Sequence, residues 1–98
     1  MKNIHILRHE NQLKQIMKNK IQNLTTFIKA EDHSQTDFIN YERLERVIRK
    51  SGISDTIMKK EDVNNLFDQY KLDDYKFDYK EFLKELNDFK FVPENIYE

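Results

Sequence analysis

The sequence predicts an all-α chain of four helices, grouped as two helix–loop–helix units, with an elongated first helix. Three observations carry this expectation. Apolar residues recur at steps of three and four along most of the chain, the spacing that holds them on one helical face. A short pattern occurs twice, as Ile39-Asn40-Tyr41-Glu42-Arg43-Leu44 and, 38 residues later, as Phe77-Asp78-Tyr79-Lys80-Glu81-Phe82. Each copy reads as one strand residue followed at once by the start of a helix. Gly and Pro occur once each, so little interrupts the helical runs.

Composition bounds the function. The chain has 98 residues, enough for one domain, with 38% apolar and 36% charged residues. No window approaches the ~18 consecutive apolar residues of a membrane span. Residues Met1 to Arg8 lack the apolar run of a secretory signal, so an intracellular, cytoplasmic location is expected. The absence of cysteine excludes disulfides, thiolate metal sites and Cys nucleophiles. A net charge of −1 argues against a general nucleic-acid binder. The charge is segregated, however. Residues 1–30 carry +5 and the remaining 68 carry −6, so the first helix is a basic element on an acidic body.

The first helix is expected from Ile4 to Ala30 without interruption. Its stripe is Ile4, Leu7, Leu13, Met17, Ile21, Leu24 and Ile28, widened by Ile16 and Phe27. At ~1.5 Å per residue it would be about 40 Å long. Residues 1–19 therefore form an extension whose end, with Ile4, Leu7 and Arg8, either meets a partner or folds back onto the body. The second helix is expected from Tyr41 to Lys50 with Leu44, Val47 and Ile48 inward. Gly52 suits the left-handed position that ends it. In the linker from Ile53 to Lys59, Ile57 is expected in the core, and Ser54 or Asp55 as the next cap. The third helix, Lys60 to Tyr70, turns Val63, Leu66, Phe67 and Tyr70 to one side. The fourth, Tyr79 to Lys90, turns Phe82, Leu83, Leu86 and Phe89 inward and stops before Pro93. Residues 20–90 are then the domain and 91–98 a tail carrying Ile96 and Tyr97.

The repeated pattern, the helix spacing and the pair Leu66-Phe67 make residues 20–90 resemble an EF-hand pair. The resemblance implies that Ile39 and Phe77 form the rungs of a minimal two-stranded sheet between the loops. It also implies a Glu four residues beyond each rung to close a calcium site. Glu81 stands in that place in the second unit, but Arg43 stands there in the first. The first loop, Asp32 to Arg43, is of full length, with Asp32, Ser34 and Thr36 at alternate ligand positions and Asp37 in place of the usual Gly. A guanidinium cannot ligate a cation, so no calcium is expected there. The second loop is one residue short and has no Gly. Its carboxylates Asp73, Asp74, Asp78 and Glu81 are the candidate ligands if it takes calcium weakly.

Catalysis has little support. His5, His9 and His33 are the only histidines, no third ligand joins His5 and His9, and a single Gly allows no phosphate loop. The resemblance therefore implies a calcium-independent structural or adaptor subunit, as in myosin light chains and some flagellar or axonemal components. Such a protein clasps an amphipathic helix of a larger, cytoskeletal or ciliary assembly in an apolar groove. The expected lining is Phe27, Leu44, Phe67, Phe82 and Leu86. Two alternatives remain at this stage: a single-site calcium sensor, and a helical nucleic-acid binder using Lys14, Lys18 and Lys20.

Overall fold

A computed structural model describes the backbone of residues 4–90 and side chains from residue 9 onward. Two helices occupy the span in which the sequence predicts one. Helix α1 runs Ile4–Asn19 and α2 runs Ile21–Glu31, with Lys20 between them at φ −109° and ψ 17°. Its amide donates to the Met17 carbonyl at 3.0 Å, a tightened turn, and the helical ladder restarts with Leu24 N–H donating to the Lys20 carbonyl at 2.8 Å. No Pro, Gly or side-chain cap sits at the break. Its cause is tertiary. The bend lays α1 against α5, defined below, and buries Leu13 and Met17 in the common core. Burying two such side chains gains about 1.5–3 kcal/mol each. A lost or weakened helical hydrogen bond costs about 0.5–1.5 kcal/mol. Burial wins, and the extension packs on the body. The side chains of Ile4, Leu7 and Arg8 and the tail 91–98, with Ile96 and Tyr97, lie outside the described residues.

The next elements follow local rules closely. Strand β1 is Phe38–Ile39 and α3 is Tyr41–Lys50. Asn40 caps α3, its side-chain oxygen accepting from the Arg43 amide at 2.9 Å. At the other end, Gly52 N–H donates to the Arg49 carbonyl and Ile53 N–H to the Ile48 carbonyl. That pair of bonds requires a left-handed residue, and Gly52 supplies it at φ +91°. The linker is fastened by Arg49, whose guanidinium donates to the carbonyls of Ile53 at 3.3 Å and Met58 at 2.7 Å. Met58, not Ile57, enters the core; Ile57 is 43% exposed. Nor do Ser54 and Asp55 cap the next helix. Helix α4 spans Lys60–Tyr70 behind Lys59, and the Asp62 carboxylate reaches back to accept from the Lys59 amide at 2.9 Å.

A small sheet qualifies the all-α expectation. It has three antiparallel strands, not two, in the order β1-β3-β2, with β2 at Lys71–Asp73 and β3 at Lys76–Asp78. Ile39 pairs with Phe77, the two residues expected as rungs, and Phe38 pairs with Asp78. The extra strand comes from the second loop, which closes as a hairpin through Asp74 and Tyr75, its turn held by the Tyr75 amide donating to Asp73 at 2.7 Å. Helix α5 then spans Tyr79–Asp88, two residues shorter than expected, with Asp78 capping the Glu81 amide at 3.1 Å. The repeat thus has a physical meaning. In each copy a strand rung, an N-cap and the first helical Tyr follow one another.

Phe77 sits at the centre of the core, fully buried. Its ring lies 5.8 Å from Phe67, 6.0 Å from Tyr70 and 5.4 Å from Phe82, so one β3 side chain ties α4 to α5. Among the described residues no helix is long and apolar enough to cross a membrane. One polar group is left over. The Ser51 hydroxyl is buried without a hydrogen-bond partner among the described residues. Phe77→Ala is expected to cost about 3–5 kcal/mol by removing this hub, read as a large fall in the urea midpoint. Ser51→Ala is expected to raise stability by up to about 1 kcal/mol, because it removes an unpaired buried hydroxyl; a fall in the same assay would show that the hydroxyl has a partner.

Candidate helix-binding cleft and interhelical loops

The first loop is organised around one carboxylate. Asp32 is only 5% exposed and accepts four hydrogen bonds. Oδ1 takes the Thr36 amide at 3.0 Å and the Thr36 hydroxyl at 2.9 Å. Oδ2 takes the Asp37 amide at 2.9 Å and the Tyr79 hydroxyl at 2.6 Å. The last bond crosses from the first unit to the second. The loop turns back on its carboxylate by placing Gln35 at φ 53° and Asp37 at φ 71°. Asp37 thus adopts the left-handed conformation that favours Gly. Burial pushes the Asp32 carboxyl up, but the donors from Tyr79, Thr36 and Asp37 outweigh it and hold it at about 2 instead of 3.8. Tyr79 is raised in turn, by burial first and then by the bond to Asp32 and its charge.

Arg43 does not face this carboxylate. Its guanidinium donates to the Glu31 carbonyl, at the end of α2, at 2.9 Å. A cation there satisfies an orphan carbonyl and meets the negative end of the helix dipole. The Glu31 carboxylate lies 2.8 Å from Arg46, 3.8 Å from Lys50 and 4.0 Å from Arg43. The three basic side chains are about half exposed, so each pair contributes little by itself. Together they fasten the end of α2 to the outer face of α3.

The second loop disperses its carboxylates. Asp73 accepts from the Tyr75 amide at 2.7 Å and lies 3.9 Å from the Lys76 ammonium. Asp74 lies 3.3 Å from Lys71, and Asp78 is spent as the cap of α5. Glu81, in the first turn of α5, is exposed. One turn further on, Glu85 accepts from the buried Tyr70 hydroxyl at 2.7 Å, and that bond holds the Glu85 carboxyl below its ordinary range. Among the described residues no three His, Asp or Glu side chains form a group that could hold a metal ion.

The apolar residues assigned to a partner groove separate in space. Leu44 and Phe67 are enclosed in the core, the latter edge-on to Tyr41 at 5.9 Å. Phe27 is half-buried against that core. Phe82 and Leu86 do reach a cleft, but α1 lies over it. A cavity of about 190 Å³ remains between them, walled by Met17 of α1, Leu66 and Tyr70 of α4, Phe82 and Leu86 of α5, and Phe89, with the charged groups Lys14, Glu85 and Asp88. Helix α1 is held at its edges. Lys18 donates to the Phe89 carbonyl, the Lys14 ammonium stands 6.0 Å from the Phe89 ring centroid, and His9 Nε2 lies 3.0 Å from Asp62. Two of the lysines considered for nucleic acid, Lys14 and Lys18, therefore face the body. Leu13 and Met17 were legible as part of the apolar stripe, but nothing local showed which surface they would meet.

No protein-family model, curated protein or solved structure matches the chain. The class of the molecule is thus defined by its architecture, two helix–loop–helix units joined through a three-stranded sheet with an added helix across the second unit.

The Asp32 carboxyl makes a pH test. Its pKa is lower folded than unfolded, so its contribution is complete above about pH 4 and is lost as pH falls through about 2. Tyr79→Phe removes one charge-assisted donor. It is expected to cost about 1.5–3 kcal/mol at neutral pH and to shift acid unfolding, followed by circular dichroism, to higher pH. An unchanged acid midpoint would show that the Tyr79 bond does not stabilise this carboxylate.

Proposed function

We propose that this chain is a non-catalytic, calcium-independent adaptor or structural subunit of the EF-hand type, holding an amphipathic helix of a protein partner in the α4–α5 cleft. One observation carries the reading. The cleft already seats an amphipathic helix, α1, through Leu13 and Met17, one turn apart on one face. A helix with an apolar pair at that spacing and flanking basic residues has the matching chemistry. Leu66, Tyr70, Phe82 and Leu86 receive the apolar side chains, and Glu85 and Asp88 attract the cations. A partner helix takes the place that α1 holds in the free chain.

Calcium independence is supported by the state of both loops. Asp32 is saturated by donors, Arg43 is turned onto the end of α2, and the carboxylates of the second loop are spread along a hairpin and a helix cap. Calcium needs six to eight oxygens around one point. A cytoskeletal or axonemal setting for the partner follows from the family resemblance alone.

The test uses the full chain with Leu13→Asp and Met17→Asp, which frees the cleft of its own helix. A synthetic peptide of residues 4–19 is then added. Micromolar binding by calorimetry, with a rise in melting temperature, is expected. Affinity unchanged by millimolar calcium and by Glu81→Gln completes the expectation. A calcium-dependent affinity abolished by Glu81→Gln would replace this reading with that of a sensor, and no binding at all would remove the cleft as a helix site.

A further inference from the structure

We propose that α1 exchanges between two copies of this chain. In a two-fold dimer, α1 and α2 straighten into one helix, and Leu13 and Met17 of each copy enter the α4–α5 cleft of the other. The proposal rests on the cleft as a helix seat, and not on any external partner.

Three observations carry it. The first is the continuity of the apolar stripe through the break. Leu13, Met17, Ile21, Leu24 and Ile28 keep steps of three and four across Lys20, so the local sequence favours an unbroken helix. The second is the break itself. Lys20 has no side-chain cap, no Gly or Pro adjoins it, and its φ of −109° needs no special residue. Only the tertiary contacts of α1 hold it. The third is the quality of those contacts. They comprise the apolar pair, the Lys18 bond to Phe89 and the 3.0 Å contact of His9 with Asp62, beside a cavity of about 190 Å³.

Exchange makes the α1–cleft contacts again between copies, so those interactions are conserved. The helical ladder at Lys20 is gained in both chains, and the contacts between α1 and α2 within one chain are given up. A closed two-fold exchange satisfies both clefts at once, which is the low-cost route by which identical chains dimerise. The second copy is the occupant favoured here because it carries, by construction, the helix that fits.

Sedimentation of the full chain from micromolar to millimolar concentration tests this. A monomer–dimer equilibrium is expected. Asn19→Ala with Lys20→Ala, which favours the unbroken helix, is expected to tighten it about tenfold, and Lys20→Gly to weaken it about tenfold. A mixing experiment separates exchange from side-by-side association. A chain with Leu13→Asp and Met17→Asp keeps a sound cleft but no usable α1. A chain with Phe89→Lys keeps a sound α1 and sets a repelling cation against Lys14 and Lys18 at the half-buried rim of the cleft. The mixture is expected to form heterodimers where each variant alone is mainly monomeric. If Phe89→Lys does not fold, the hinge series decides. Dimerisation indifferent to both hinge variants, or monomer at every concentration, overturns the proposal. Monomer throughout with the 4–19 peptide still bound by the cleft overturns exchange and leaves the adaptor reading in place; neither dimer nor peptide binding removes both.

Discussion

The fold depends on the burial of one carboxylate. Asp32 ends the first entering helix, and a bare carboxylate with so little exposure would be a severe penalty. Every acceptor direction is answered instead. Thr36 and Asp37 bring their donors by turning the loop through two left-handed residues, and Tyr79 brings its hydroxyl from the far unit. The same interaction that relieves the charge fixes the loop and sets the start of α5 against it. The Tyr41 hydroxyl makes a weaker counterpart, donating from the first unit to the Lys60 carbonyl of the second at 3.4 Å. The two tyrosines of the repeat therefore each reach across to the other unit, with the Ile39–Phe77 rung between them.

This arrangement explains how the two interhelical loops stay folded by protein groups. In the first, amide and hydroxyl donors surround Asp32, and Arg43 closes the end of α2. In the second, the chain turns through Asp74 and Tyr75 as a hairpin. Its backbone is satisfied by β-pairing, and its side chains are spent on a turn, ion pairs and a cap.

The position of α1 turns the apolar surface between α4 and α5 into an interior. Without that helix, Leu66, Tyr70, Phe82, Leu86 and Phe89 would face solvent together on a small domain. With it, they join a core that runs from Leu13 to Leu86. Phe82 and Leu86, two of the residues read from sequence as a partner groove, are thus covered from within. The seat is a close match in spacing and charge and a loose one in volume, because a cavity stays open beside Met17.

Much of this was legible beforehand. The helices Tyr41–Lys50 and Lys60–Tyr70 have the expected bounds, and the pairing of Ile39 with Phe77 is the one the resemblance implied. Gly52 was readable as the end of α3 since only a left-handed residue closes that turn. Other features had no local signal. The Asp74-Tyr75 turn, the burial of Met58 in place of Ile57 and the neighbours of Leu44 and Phe67 follow from how the two units face each other. The sequence by itself determined the bounds of the helices Tyr41–Lys50 and Lys60–Tyr70 and which face of each is apolar. Only the tertiary structure decided that the first helix bends at Lys20 and which cleft it enters. The backbone there gains or loses a single hydrogen bond either way, whereas the burial of Leu13 and Met17 against a distant helix is worth several times as much.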